Sequence, residues 1–185
     1  VAHAKAALLP PARRPRFVRG DMARFALGRR FRLVLIPFRA FKHLLTFEDQ
    51  RRCLSCVRRH LVRGGRLIVD LFDPRLDMLA PERAPVRGSR REFEDADGRL
   101  TVKARRVSND PVHQLLHEEW EFVERDRGGR VVRRGRSGVV LRWTYRWEMR
   151  HLLELSGFRI VACYGDFKGS GPRYGVEQVW VATPS

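Results

Sequence analysis

Apolar and polar positions follow two different periods between residues 31 and 72. A run at 33–37, Leu-Val-Leu-Ile-Pro, is continuously apolar, and the run at 67–72, Leu-Ile-Val-Asp-Leu-Phe, is nearly so. Short runs of this kind, rich in Val, Ile and Leu, are expected for strands covered by helices on both faces. Between them Phe47, Leu54, Val57 and Leu61 recur at helical steps, while Arg51, Arg52, Arg58 and Arg59 fall largely elsewhere. Thr46 stands immediately before this pattern, and Glu48 and Asp49 would occupy the first turn, where carboxylates meet the positive end of the helix dipole. Thr46 is therefore the expected N-cap. Gly64 and Gly65 are expected to end the helix by supplying its left-handed terminal residue. A strand, a crossover helix and a parallel strand make this an α/β domain.

The flanking sequence adds further elements. Residues 3–9 form an Ala-rich helical stretch stopped by Pro10 and Pro11, and residues 16–19, with Phe17 and Val18, read as a short strand turned by Gly20-Asp21-Met22. After Phe72, Asp73-Pro74 breaks the chain and residues 75–86 read as a loop or short helix. Strand candidates at 91–94 and 100–107 then flank the turn at 95–98. A second pair at 115–123 and 131–136 flanks Asp126-Arg127-Gly128-Gly129, and residues 139–143 add one more strand. The expected result is an antiparallel meander inserted at about residues 90–140. Trp147, Met149, Leu152, Leu153 and Leu155 mark a helix ending at Gly157, and strands at 158–164 and 176–182 enclose a glycine-rich loop at 165–172.

Length and charge narrow the class. At 185 residues with 43% hydrophobic content, the chain supports one domain with its own core. No run approaches the roughly 20 apolar residues of a membrane helix, and three cysteines provide no disulfide framework, so the expectation is a soluble cytoplasmic protein with no membrane partner. The formal charge of +17 brings nucleic acid or another polyanion into view as a partner. The cations are 34 Arg against 4 Lys, spread along the whole length without a compact basic run, so charge alone does not select that partner. The chain starts at Val1 rather than Met, and it is expected to be incomplete at its N-terminus.

Cys53, Cys56 and His60 are spaced so that one helix side could present three metal ligands. A structural zinc site takes four ligands on a fixed loop geometry, so these residues are read as helix packing and no metal is expected.

The order of segments carries a resemblance. The turn Gly20-Asp21-Met22 is followed by Phe31-Arg32-Leu33-Val34-Leu35-Ile36-Pro37-Phe38, then His43-Leu44-Leu45-Thr46, then Gly64-Gly65-Arg66-Leu67-Ile68-Val69-Asp70. This succession resembles class I S-adenosylmethionine-dependent methyltransferases. The later stretch Leu141-Arg142-Trp143-Thr144-Tyr145, Glu148 and Leu152-Leu153-Glu154-Leu155-Ser156-Gly157-Phe158 is similar to a subset acting on small molecules, which also carries an antiparallel insertion. The resemblance implies a Rossmann-like methyltransferase sheet with an antiparallel β insertion, S-adenosyl-L-methionine as cofactor, and methyl transfer to N or O of a small-molecule acceptor. It implies that Asp21 bonds the adenine amino group, that the N–H of Met22 reaches a ring nitrogen, and that Pro37 and Phe38 lie along the cofactor. It places His43 near the transferred methyl as a catalytic base and assigns Arg142 and Tyr145 to the acceptor.

Two features depart from the family's pattern. The strand begins Phe31-Arg32 where the family usually has Phe-Asp, and the glycine-rich cofactor loop and the ribose-holding acid have no counterpart in the sequence. The resemblance therefore implies a sheet without its first strand-helix-strand and impaired cofactor binding. The competing expectation is a non-catalytic basic α/β module that binds RNA or another polyanion.

Overall fold

The computed structural model of the chain describes residues 10, 15–75, 79, 91–94 and 100–185. The expected Ala-rich helix at 3–9 and the turn at 95–98 lie outside these residues, as does most of the loop at 75–86. The described chain folds into two four-stranded sheets. One contains β1 (Phe31–Ile36), β2 (Leu61–Phe72), β7 (Phe158–Tyr164) and β8 (Glu177–Pro184), in the order β1-β2-β8-β7. β1 and β2 are parallel, whereas β8 runs antiparallel to both β2 and β7. The other is a meander of β3 (Arg91–Glu94), β4 (Leu100–Asp110), β5 (Leu115–Arg125) and β6 (Val131–Arg142).

Helix α1 (Phe47–Arg59) crosses from β1 to β2, and α2 (Arg146–Leu155) precedes β7. The Asp49 N–H donates to Thr46 Oγ1 at 3.1 Å while the Thr46 hydroxyl donates to Asp49 Oδ2 at 2.9 Å, a reciprocal cap that fixes the start of α1. The core joins Leu54 and Val57 of α1 and Met149 and Leu153 of α2 with alternate positions of the sheet, among them Leu67, Val69, Leu71 and Trp180. The intervening positions Leu33 and Leu35 of β1 are 48% and 54% exposed, so among the described residues this strand is covered on one face, not on both.

Four further expectations are corrected. α1 ends at Arg59 with His60 as its C-cap, and Gly64 and Gly65 lie within β2. There Phe31 pairs with Leu61 but Leu33 pairs with Arg66, so β2 carries three more residues than β1 across this interval. Gly64 at φ 75° absorbs the bulge, and a Cβ on Gly65 would stand 2.9 Å from the Val62 carbonyl oxygen. Among the described residues, 16–19 pair with no strand, and an isolated bridge joins Asp21 to Arg24. Residues 139–143 are not a separate strand, because β6 continues to Arg142 through Gly138. Phe47 is exposed, and the inward position of that turn is taken by Gln50, whose Nε2 donates to the Leu44 carbonyl.

The two sheets meet where β6 leads into α2. Trp143 is buried with Leu79 and Leu116, and its Nε1–H donates to Asn109 Oδ1 at 2.9 Å. At this junction Asp73 accepts from the Gln178 amide at 3.0 Å, from Arg146 at 3.3 Å and from the Gly175 N–H at 3.0 Å. The end of β2 is thereby tied to β8, to the first turn of α2 and to the loop that follows β7.

Candidate active site

The carboxyl ends of β1 and β2 open into a cavity of about 530 Å³ lined by Pro37, Phe38, Arg39, Asp70, Phe167 and Glu177. This is the edge at which open α/β sheets hold ligands, because the strands end there and loops diverge. β1 delivers Pro37 directly after Ile36. β2 contributes Asp70, β8 begins with Glu177, and the loop after β7 brings Phe167.

Backbone strain marks the turn after β1. Phe38 and Arg39 both have φ of 58°, a left-handed conformation that residues with a Cβ seldom adopt in succession. The Arg39 N–H donates to Asp70 Oδ2 at 3.0 Å, and the Phe38 N–H also helps to hold the Asp70 charge. Asp70 is 5% exposed, and burial pushes its pKa above the ordinary aspartate range despite those donors, with the nearby Glu177 charge pushing the same way.

The Arg39 side chain turns to Glu177. Its Nη2 and Nε both reach the carboxylate, the latter at 3.2 Å, and this hydrogen bonding raises the Arg39 pKa further. The pair is not sealed, since the side chains are 49% and 24% exposed. Phe38 is 94% exposed and Phe167 72% exposed, so two aromatic rings stand uncovered at the same mouth. Apolar walls with a few converging polar groups are the composition of a small-molecule site.

The sequence-derived residues fall into four groups. Pro37 and Phe38 line the cavity. His43 is exposed at the end of the 3₁₀ turn Ala40–His43, which leaves the cavity wall and leads to the α1 cap. Asp21 and Met22 lie apart, in a tight turn where Asp21 Oδ1 accepts the Ala23 N–H at 2.8 Å and Met22 packs on the core. Residues just after this turn line a separate cleft of about 400 Å³ against α1.

Arg142 and Tyr145 sit at the junction of the sheets. Arg142 donates to Gln114 Oε1 at 2.7 Å, to Glu148 Oε1 at 3.2 Å and to the His113 carbonyl at 3.2 Å, which clamps the β4–β5 turn to α2. Tyr145 is the N-cap of α2, its N–H donating to Glu148 Oε2, and its ring meets Trp143 edge-on.

Arg39, Asp70, Phe167 and Glu177 were not singled out by sequence reasoning. A signal existed for one of them, because Asp70 is the one charged residue in an apolar run. A charge placed in a buried strand needs a partner, and that requirement marks a position for inspection.

Cys53 is buried in the core, and Cys56 is buried at the edge of the cleft against α1, its Sγ donating to the Ala23 carbonyl at 3.6 Å and accepting from Arg59 at 3.1 Å. Burial pushes the Cys53 thiol up to about 12, which keeps it protonated. His60 contacts the Cys56 carbonyl through Nδ1 at 2.7 Å and accepts the Leu27 N–H on Nε2 at 2.9 Å. Both ring nitrogens are thus engaged in fastening the segment before β1 to α1.

No protein-family model and no curated protein matches the chain. Solved structures do. The CcbJ methyltransferase of Streptomyces caelestis superposes with a TM-score of 0.75 at 23% identity over 98% of this chain and 68% of its own. An S-adenosylmethionine-dependent methyltransferase of Clostridium acetobutylicum ATCC 824 gives 0.74 at 14% identity over 92% and 65%. The amino pentose methyltransferase CalS10 of Micromonospora echinaspora gives 0.63 at 23% identity over 90% and 63%. The chain therefore spans about two thirds of the length of the structures it matches, and over that span it has the fold of S-adenosylmethionine-dependent methyltransferases.

Proposed function

We propose that the chain is part of an enzyme that transfers a methyl group from S-adenosyl-L-methionine to N or O of a small-molecule acceptor. The observation that carries this reading is the cavity at the carboxyl ends of β1 and β2, where Pro37 and an almost fully exposed Phe38 stand on the methyltransferase fold. An uncovered aromatic ring beside a strained turn fits a surface that packs on a planar or apolar ligand. Asp21 lies outside this cavity, in the turn before β1, with an exposed carboxylate. One of the matched structures is an amino pentose methyltransferase and another a sugar N-methyltransferase, which supports a polar small molecule as acceptor.

In this reading Asp21 and the Met22 N–H hold the adenine, and Pro37 and Phe38 flank the cofactor. When bound, the cofactor supplies an electrophilic methyl carbon on a sulfonium. The residues of the chain hold the acceptor in line with that carbon and exclude water. His43 takes the proton from an acceptor that arrives protonated. Arg142, clamped to Gln114 and Glu148, and Tyr145 shape the acceptor side from the junction. The glycine-rich loop and the ribose-holding acid have no counterpart in this sequence, so the chain by itself binds the cofactor weakly.

Calorimetric titration with S-adenosylhomocysteine tests the reading. Saturable binding weaker than micromolar, weakened further by Asp21→Ala, is the expected result. No binding up to the solubility limit of the ligand would count against a cofactor site, and micromolar binding would refute the impairment.

A polyanion-binding role has one observation in its favour: Arg24, Arg52 and Arg59 line the cleft against α1. It requires RNA affinity that falls steeply with salt. A flat, weak response at physiological ionic strength removes it.

A further inference from the structure

The cavity has a charge that the rest of the chain does not share. The protein carries a formal +17, yet among the described residues the ionisable groups lining this cavity are the two carboxylates of Asp70 and Glu177 against the guanidinium of Arg39, with the Lys42 ammonium set back over the Phe72 ring. Within an Arg-rich chain this is a local inversion. Two exposed phenylalanine rings, Phe38 and Phe167, border the same space, and aromatic faces attract cations through their quadrupoles. The Glu177 carboxylate is already occupied by a cation belonging to the protein itself, Arg39, held through two of its nitrogens.

We propose that Glu177 is the specificity-determining residue of this cavity, that it binds the ammonium group of an amine ligand, and that Arg39 is an internal stand-in which the ligand displaces. This deepens the methyltransferase reading and rests on it in one respect, the identification of the amine as the methyl acceptor. Three features favour exchange over a permanent ion pair. The Arg39 side chain is half exposed, so its guanidinium keeps good hydration when it swings out. Its backbone is held independently of its side chain, because the Arg39 N–H is fixed on Asp70 and the turn does not depend on the Glu177 contact. The first residue of β8, which carries Glu177, pairs with Phe72 at the end of β2, so the carboxylate stays in place when Arg39 leaves.

The chemistry fits the size and polarity of the space. About 530 Å³ accommodates a small ring, and the ammonium would sit at Glu177 with the body of the ligand against the phenylalanine rings. An amine held as its ammonium must lose a proton before its lone pair can attack a methyl carbon; Glu177 holds and orients that ammonium, and the proton passes to the base, His43 in the methyltransferase reading. A neutral alcohol of the same shape gains neither the ion pair nor the cation–π contact. Arg39 adds selection, because only a ligand that replaces its charge recovers the cost of breaking the existing pair.

The test uses the chain with cyclohexylamine, which is protonated at neutral pH, and cyclohexanol as its neutral counterpart. Binding is followed by NMR shift perturbation at residues 37–39, 167 and 177. Cyclohexylammonium is expected to bind and cyclohexanol to bind at least tenfold more weakly. Glu177→Gln should weaken ammonium binding by about tenfold or more, the effect of losing a charge-assisted contact. Arg39→Gln should tighten it by about two- to fivefold, the worth of a partly exposed ion pair no longer in competition. That gain should vanish in the double variant Arg39→Gln/Glu177→Gln, which also separates competition from a change in fold.

Equal binding of the amine and the alcohol would overturn the proposal. So would weaker ammonium binding in Arg39→Gln, or a gain that persists without Glu177. If the ammonium pattern holds while S-adenosylhomocysteine fails to bind, the cation site stands and the methyltransferase reading falls.

Discussion

Replacing Asp70 separates two effects that the carboxylate combines. It accepts the Arg39 N–H at 3.0 Å and so holds a turn in which Phe38 and Arg39 are both left-handed. It is also a buried charge. Asp70→Ala removes the acceptor, and leaving a partly buried N–H unpaired costs about 1–3 kcal/mol. Part of this is recovered if the turn relaxes, because each left-handed residue stores about 1–2 kcal/mol that only its surroundings maintain. At about 2–4 °C per kcal/mol for a chain of this size, the melting temperature should fall by at most roughly 2–12 °C, less where the turn relaxes.

Asp70→Asn behaves differently, since the amide oxygen can still accept the N–H while the charge is gone. The sign of its pH dependence follows from the raised pKa. Because the folded protein holds the Asp70 proton more tightly than the unfolded chain does, it binds more protons in the window between the ordinary aspartate value and the raised one. Stability contributed by this group is therefore fully present below the window and is lost as pH rises through it. Asp70→Asn should lose nothing on that rise, so its stability relative to the parent should improve from acid toward neutral pH and then level off. Urea unfolding of parent, Asp70→Asn and Asp70→Ala between pH 4 and pH 7 makes the comparison. If Asp70→Asn becomes less stable relative to the parent as pH rises, the ionised carboxylate is net stabilising and burial does not dominate. If Asp70→Ala melts with the parent, the carboxylate does not hold the turn.

Three other substitutions probe different parts of the fold. Thr46→Ala removes the cap of α1 and should lower unfolding free energy by about 1 kcal/mol, read by urea denaturation; no change would deny the cap a role in stability. Gly165→Ala would place a Cβ 2.6 Å from the Gly171 carbonyl oxygen, so it should displace the loop that carries Phe167. Amide shifts confined to residues 165–175 are expected, and an unchanged spectrum would show that the loop is not tightly packed. His43→Asn in a catalytically active longer form should lower turnover by about a hundredfold, least at high pH where the acceptor has already lost its proton. Turnover within a few fold of the parent across the pH range would remove His43 from the chemistry.

The parts of the fold that were legible in the sequence are those decided locally. The Thr46 cap depends on a side chain reaching a backbone N–H three residues away, and the turn at Asp126 depends on Gly129 at φ 78° with Asp126 Oδ1 accepting the Arg130 N–H. Misreadings arose where a local signal has two physical causes. A glycine pair supplies left-handed backbone to a helix terminus and to a strand bulge alike, and only pairing with β1 shows that Gly64 and Gly65 serve the second. A strand needs a neighbour, so Phe17 and Val18 could not fix one by composition. At the site, Pro37 and Phe38 were accessible because they follow a strand of recognisable pattern. Glu177 was not, because its meaning depends on Arg39, 138 residues away in sequence.

The distribution of charge bears on whether the Arg-rich composition has a function of its own. Between β5 and β6 of the meander Arg133 faces Glu124 and Arg136 faces Glu121, and on the helices Arg52 pairs with Asp49 and Arg150 with Glu154. Even in the cleft against α1, Arg52 is committed to Asp49 and Arg59 to Ser55 and Cys56. Cations already matched by local acceptors release fewer counterions from a polyanion than free ones do, which weakens the case for an RNA surface. At physiological ionic strength exposed charges are screened over about 8 Å, so the field inside the cavity depends on the nearest charges, Arg39, Asp70, Glu177 and the buried Lys42 ammonium over the Phe72 ring, rather than on the formal total. A strongly basic chain can therefore hold a site that favours a cation, provided the carboxylates lie at its wall and the arginines elsewhere are paired or distant.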